Sequence, residues 1–93
     1  MASSLNVMLI VELGQTTARQ RTIFRRELLR LGWSSLGERG HLFRSQMSNV
    51  KSDQQMLSRT TRHVRAAVRA AEILDWTADC ICSDSPPWPK AVK

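Results

Sequence analysis

The stretch that decides the fold is Leu5-Asn-Val-Met-Leu-Ile-Val-Glu-Leu13, near the start of the chain. Side chains two apart share one face of a strand, and one face here is wholly apolar. That face consists of Leu5, Val7, Leu9, Val11 and Leu13. The other face carries Met8 and Ile10 in its middle. Large apolar residues on both faces are typical of a covered central strand, so residues 5–13 are predicted to form one.

A helix is predicted directly after this strand. Thr17 and Gln20 have the spacing of a capping box, in which each side chain bonds a backbone N–H of the other residue. Apolar residues follow at helical spacing and predict a buried stripe: Phe24, Leu28 and Leu31. Gly32 suits the left-handed position that ends a helix. The first helix is therefore predicted over residues 17–31.

The middle of the chain predicts a β-hairpin. Two short stretches, residues 33–36 and 41–47, have strand character and flank Gly37-Glu38-Arg39-Gly40. Glycines at both ends of so short a connection suit a tight turn between antiparallel strands.

The second half predicts a long helix and a last strand. Ser52 and Gln55 repeat the capping-box spacing, and the helix is predicted over residues 53–74. Its inner side is predicted to comprise Leu57, Thr60, Val64, Ala67, Val68, Ala71 and Leu74. A strand is predicted over residues 76–83, and a stretch rich in proline, which cannot donate to a sheet, follows it.

The element order β-α-β-β-α-β predicts an α+β fold of ferredoxin-like type. Right-handed crossovers place both helices on one face of a four-stranded antiparallel sheet. We expect one domain over residues 1–84 and an extended tail over residues 85–93. The sheet's second face is then open, and it carries Met8 and Ile10. An exposed apolar patch marks a contact site, so we expect either a second copy or the tail with Trp88 to cover it.

The charge balance points to an anionic partner. Fourteen Lys and Arg residues against eight Asp and Glu residues give a net charge of +6, and eleven of the bases are Arg. Such a surplus attracts nucleic acid or an acidic protein. The phosphate-binding residues are predicted on the outer helix sides: Arg19, Arg26, Arg30, Arg62, Arg65 and Arg69. A solvated basic helix face is the alternative interpretation.

Composition also bears on compartment. No stretch reaches the roughly 18 apolar residues of a membrane helix, and no basic segment precedes the first apolar run as in a secretory signal. Only two cysteines are present, Cys80 and Cys82, too few for a typical secreted disulfide framework. We therefore expect a cytoplasmic protein without a membrane partner.

Candidate catalytic and metal-binding residues are few. Glu12 ends the first strand, where Asp79 and Asp84 could join it in holding Mg²⁺. His41 could act as a general base. Cys80 and Cys82 with His41 and His63 supply zinc-ligand atoms, but their spacing differs from that of zinc knuckles. The alternative for each is an ordinary surface or core residue. No other cofactor is indicated.

The sequence resembles small ferredoxin-fold endoribonucleases. The resemblance rests on three stretches: Val7–Glu12, the Arg-rich Arg19–Leu31, and Gly32-Trp33. This group includes the small CRISPR adaptation nucleases, virulence-associated protein D and the antitoxin-type RNase of a bacterial toxin–antitoxin pair. In the CRISPR group an acidic residue, usually Asp after an aromatic residue, ends strand one and can hold a metal between two subunits. Glu12, which follows Val11, matches that position. The resemblance implies a homodimer with facing sheets. RNA is the favoured nucleic acid, and metal-dependent RNA cleavage is the activity that Glu12 would serve.

Two hypotheses of different class remain. The first is a basic nucleic-acid-associated homodimer, with or without endoribonuclease activity. The second is a non-enzymatic inhibitor or adaptor that binds an acidic partner protein.

Overall fold

The computed structural model describes residues 4–36, 41–48, 52–82 and 90–91. The elements are β1 (Ser4–Leu13), α1 (Ala18–Arg30), β2 (Ser34–Leu36), β3 (Leu42–Ser48), α2 (Asp53–Ala71), β4 (Trp76–Cys82) and β5 (Lys90–Ala91). The sheet is antiparallel with strand order β2-β3-β1-β4-β5. Its first four strands and the two helices form the predicted ferredoxin-like β-α-β-β-α-β fold. The predicted turn at 37–40 and the proline-rich stretch 85–89 lie outside the described residues.

The first strand is central, as its sequence predicts. β1 pairs with β3 on one side and β4 on the other, so that Leu9 stands opposite both Phe43 and Cys80. The three are fully buried beneath the helices. Phe24 of α1 contacts Phe43 edge to face, with ring centroids 6.0 Å apart. On the α2 side, the Cys80 thiol lies 3.7 Å from the Met56 sulfur. Both helices therefore cover one face of the sheet.

The predicted limits of α1 are confirmed by its caps. Thr17 and Gln20 form the reciprocal capping box, with backbone-to-side-chain bonds of 2.9 and 3.1 Å. At the other end, Gly32 adopts a φ of +99°, which side chains rarely tolerate. The N–H of Trp33 then donates to the carbonyl of Leu28, which is one of the two backbone hydrogen bonds of a Schellman motif at the helix C-terminus.

The end of α2 corrects the sequence prediction. Ser52 caps its start by accepting from the Gln55 N–H, as predicted. The helix stops at Ala71, however, because Glu72 takes a left-handed conformation with φ 58° and ψ 40°. This reversal turns Ile73 into the core and leaves Leu74 97% exposed. The prediction that Leu74 belongs to the inner side of the helix is therefore wrong.

A short fifth strand borders the sheet. β5 pairs with the outer edge of β4, with Ala91 opposite Asp79 and Lys90 opposite Cys80. This short strand was not predicted, since Lys90 and Ala91 follow the proline-rich stretch. No helix in the described part of the chain is long and apolar enough to cross a membrane.

Candidate nucleic-acid interface

The outer surface of the helical layer is strongly basic. Its exposed arginines are Arg19, Arg21, Arg25, Arg26 and Arg30 of α1 and Arg62, Arg65 and Arg69 of α2. On this surface, among the described residues, an ion pair joins Arg30 to Glu27, with 2.8 Å between nitrogen and oxygen. The hydrogen bond and charge of Glu27 raise the pKa of Arg30. The layer therefore keeps a large excess of positive charge.

Two hydrogen bonds show how the helices lie. The Gln20 side-chain amide donates to the carbonyl of Glu72 over 3.1 Å, which joins the start of α1 to the end of α2. Just past the other end of α1, the indole nitrogen of Trp33 donates to Nδ1 of His63 over 3.0 Å. The helices are therefore antiparallel neighbours. Gln20 marks the flank of α1 that faces α2, and His63 marks the flank of α2 that faces α1.

The predicted arginines of α1 lie on its outer side. Arg19, Arg26 and Arg30 each lie about 80–120° around the helix axis from Gln20. They lie on the side of Gln20 away from buried Phe24. This row therefore points away from the sheet, into solvent.

The predicted arginines of α2 also lie towards solvent. Arg62 and Arg69 are about 100–120° around the axis from His63, and Arg65 is about 160° from it. Arg65 thus lies nearer the flank away from α1. The outer side of the helical layer therefore carries an arginine row on each helix.

The open face of the sheet carries apolar residues on four strands. Met8 is 40% exposed, and Ile10 is half-buried. The register sets Ile81 of β4 beside Met8, and Leu42 of β3 beside Ile10. Leu36 of β2 continues the row beyond Leu42. The two residues predicted for a dimer interface therefore lie at the centre of a wider apolar patch.

Two opposite charges flank this patch. Arg44 lies beside Met8 on β3, and Asp79 lies beside Ile10 on β4. A shallow, almost wholly apolar depression opens at this point, lined by Asn6, Val7, Met8, Arg44 and Ile81. The two strands that flank β1 thus carry charges of opposite sign on its two sides.

The candidate catalytic residues do not come together. Glu12 is exposed on the open face, beside Thr77 and diagonal to Asp79. The carbonyl of His41 accepts from the Val11 N–H over 2.8 Å, which sets His41 beside Val11. Neighbouring residues of a strand point to opposite faces, so the register assigns His41 and Glu12 to opposite faces. Asp84, the third carboxylate considered for Mg²⁺, lies outside the described residues.

The zinc alternative gains no support from the structure. Among the described residues, no three His, Cys, Asp or Glu side chains converge on one point. Cys80 is buried against Met56, and His63 is held by Trp33. The side chain of Cys82 lies outside the described part of the structure.

Comparison with protein-family models, with curated proteins and with solved structures finds no match to this chain. Functional inference therefore rests on the geometry and charge of the domain's two faces.

Proposed function

We propose that the protein binds nucleic acid, RNA in preference to DNA, through its helical layer, and does so as a homodimer joined by the open faces of its sheets. The observation that carries the proposal is the outer surface of the helices, which bears eight exposed arginines. Arginine is the side chain best suited to phosphate, because its planar guanidinium offers paired donors. Phosphate contacts by such residues give affinity without requiring a sequence motif.

The homodimer is supported by the open face. A monomer would leave Met8, Ile10 and their apolar neighbours in water, and contiguous apolar patches of this kind mark contact sites. A two-fold axis parallel to β1 sets β3 of each copy against β4 of the other. Arg44 of one copy then approaches Asp79 of the second. Charge complementarity of this kind favours a second copy of the chain as the occupant.

Metal-dependent cleavage is the second part of the proposal, and it rests on Glu12. The same two-fold axis brings the Glu12 carboxylates of both copies towards one end of the shared face. Two like charges repel each other there, and a divalent cation such as Mg²⁺ would offset that repulsion. Asp79, diagonal to Glu12, would add a further oxygen ligand.

Salt-dependent binding tests the first part. Affinity for a short RNA should fall linearly with salt concentration on a logarithmic plot, with a slope that counts the phosphates neutralised. The triple change Arg62→Ala, Arg65→Ala and Arg69→Ala should weaken binding and flatten the slope by about 2–3. The same three positions changed to Lys keep the charge, so the slope should be nearly retained.

Two results would contradict this proposal. Absence of RNA and DNA binding by the wild-type chain at low salt would remove it and favour the hypothesis of an adaptor for an acidic protein. Equal affinity of the alanine triple variant and the wild type would show that the basic helical layer is not the binding surface.

A further inference from the structure

One groove on the helical layer differs from the rest of the basic surface. It lies along the first three turns of α2 and is lined by Gln54, Leu57, Ser58, Thr61, Arg62 and Arg65. Residues 54, 58, 61, 62 and 65 recur on successive turns of one side of a helix. Thr61 and Arg65 are each about 160° from His63 around the axis, so the groove occupies the flank away from α1.

The groove combines charge with neutral hydrogen-bonding groups. Its floor is formed by Leu57 and Thr61, which are half-buried, and its rim by exposed Ser58 and Arg62. The Thr61 hydroxyl already donates to the Leu57 carbonyl over 2.7 Å. The donors left at the rim are therefore the guanidinium groups, the Ser58 hydroxyl and the amide of Gln54.

We infer that this groove is a phosphodiester subsite, which takes consecutive backbone phosphates of a bound nucleic-acid strand. The inference rests on the proposed function and narrows it to one place. Arg62 and Arg65 supply charge-assisted hydrogen bonds to the phosphate oxygens. Ser58 and Gln54 supply neutral hydrogen bonds that fix the position of the strand. Leu57 provides an apolar floor for the adjoining sugar.

Substitution of uncharged residues distinguishes a localised phosphate subsite from diffuse electrostatic attraction. A double change, Gln54→Ala with Ser58→Ala, removes two donors and leaves every charge in place. Alanine is the best helix former, so α2 should remain folded. Binding of a short single-stranded RNA should weaken about threefold to tenfold, with an unchanged salt slope, because hydrogen bonds contribute to affinity without releasing counterions.

The matched control removes the same two side-chain types elsewhere on the exposed surface. Gln15→Ala with Thr22→Ala changes an exposed amide and an exposed hydroxyl outside the groove, and RNA affinity should match the wild type.

A second comparison keeps the loss of charge equal. Arg62→Ala with Arg65→Ala should weaken binding more than Arg19→Ala with Arg26→Ala, although each pair removes two positive charges.

The outcomes separate the subsite from the proposed function. RNA binding by the wild type, together with wild-type affinity of the Gln54→Ala, Ser58→Ala variant, would overturn the subsite and leave the basic layer as a diffuse binding surface. Equal losses in the two arginine pairs would also overturn it. A wild-type chain that binds no RNA at low salt would overturn both.

Discussion

The indole N–H of Trp33 donates a hydrogen bond to Nδ1 of His63 over 3.0 Å, and the two rings meet edge to face. Nδ1 can accept this bond only while it is unprotonated. Burial lowers the pKa of His63 below its ordinary 6.5, and the charges of Arg62 and Arg59 lower it further. The bond therefore links α2 to the start of β2 in the neutral form of the histidine.

Acid should weaken the fold through this residue. Because the folded-state pKa is depressed, the unfolded chain binds more protons between that value and 6.5. The contribution of His63 to the free energy of unfolding is complete above pH 6.5 and is lost as the pH falls through the folded-state pKa. Urea midpoints measured from pH 7.5 down to 5 should fall accordingly.

The variant His63→Gln is the control for this pH dependence. Its amide oxygen can still accept from Trp33 but does not titrate, so the decline between pH 6.5 and 5 should be shallower than in the wild type. An equally steep decline in this variant would assign the acid sensitivity to other groups.

Charges placed on the open face should separate the proposed homodimer. In the double variant Met8→Lys, Ile10→Lys, each new charge would meet the new charges of the other copy across a two-fold interface. We expect a folded monomer by light scattering, against a wild-type dimer. The change Ser34→Lys with Gln46→Lys adds equal charge on β2 and β3, towards one margin of the same face, and should disturb the dimer less.

Other results for the double variant have defined meanings. A wild-type monomer whose segment around Trp88 exchanges amide hydrogens faster in the variant would assign the covering to the tail. A wild-type monomer with no such change would leave the patch without either covering and contradict the homodimer.

Removal of the Glu12 carboxylate tests catalysis. Glu12→Gln keeps the size and hydrogen-bonding shape of the side chain but removes its charge. Cleavage of RNA in the presence of Mg²⁺ or Mn²⁺ should be lost, while RNA affinity and thermal stability stay near the wild type. His41→Gln is the control variant. Because the register sets His41 on the face opposite to Glu12, cleavage by this variant should stay near the wild type. If the wild-type chain cleaves no nucleic acid with either metal, the enzymatic part of the proposal is withdrawn and binding remains.

Adjacent residues at the end of α2 should differ sharply in their effect on stability. Ile73 is 4% exposed and Leu74 is 97% exposed. Ile73→Ala should lower the free energy of unfolding by about 2–4 kcal/mol, because it leaves a cavity in the core. Leu74→Ala should change it by less than about 0.5 kcal/mol. Chemical denaturation of both variants checks this, and a reversed order would contradict the observed helix end.

The sequence predicts the fold well where local chemistry is sufficient. Thr17 with Gln20 and Gly32 determine the limits of α1 through bonds within a few residues. The end of α2 was missed because Glu72 is not glycine, and nothing local shows that it would adopt a left-handed conformation. β5 was missed because it is only two residues long and follows a proline-rich stretch, which cannot extend a sheet ladder.

The candidate site is less predictable from sequence. Met8 and Ile10 were found because successive residues of a strand point to opposite faces, which places both on the face away from Leu9. Leu36 and Ile81 join them only through the sheet register, which brings together residues remote in sequence. The groove beside Arg62 and Arg65 was missed for a different reason. Ser58 and Gln54 are ordinary polar helix residues until their shared flank and the half-buried floor are known.

The two border strands restrict how copies of this protein can associate. On one side the sheet ends at Ser34–Leu36 and on the other at Lys90–Ala91, three and two residues long. A longer unpaired strand would offer a row of free backbone donors and acceptors on which another chain could add and form fibres. Each border strand offers few such bonds, and the stretches of β3 and β4 that these strands do not pair with, such as residues 45–48 and 76–78, are themselves short. Association through the flat surface can then end at a closed pair, since edge-to-edge growth has little backbone to recruit.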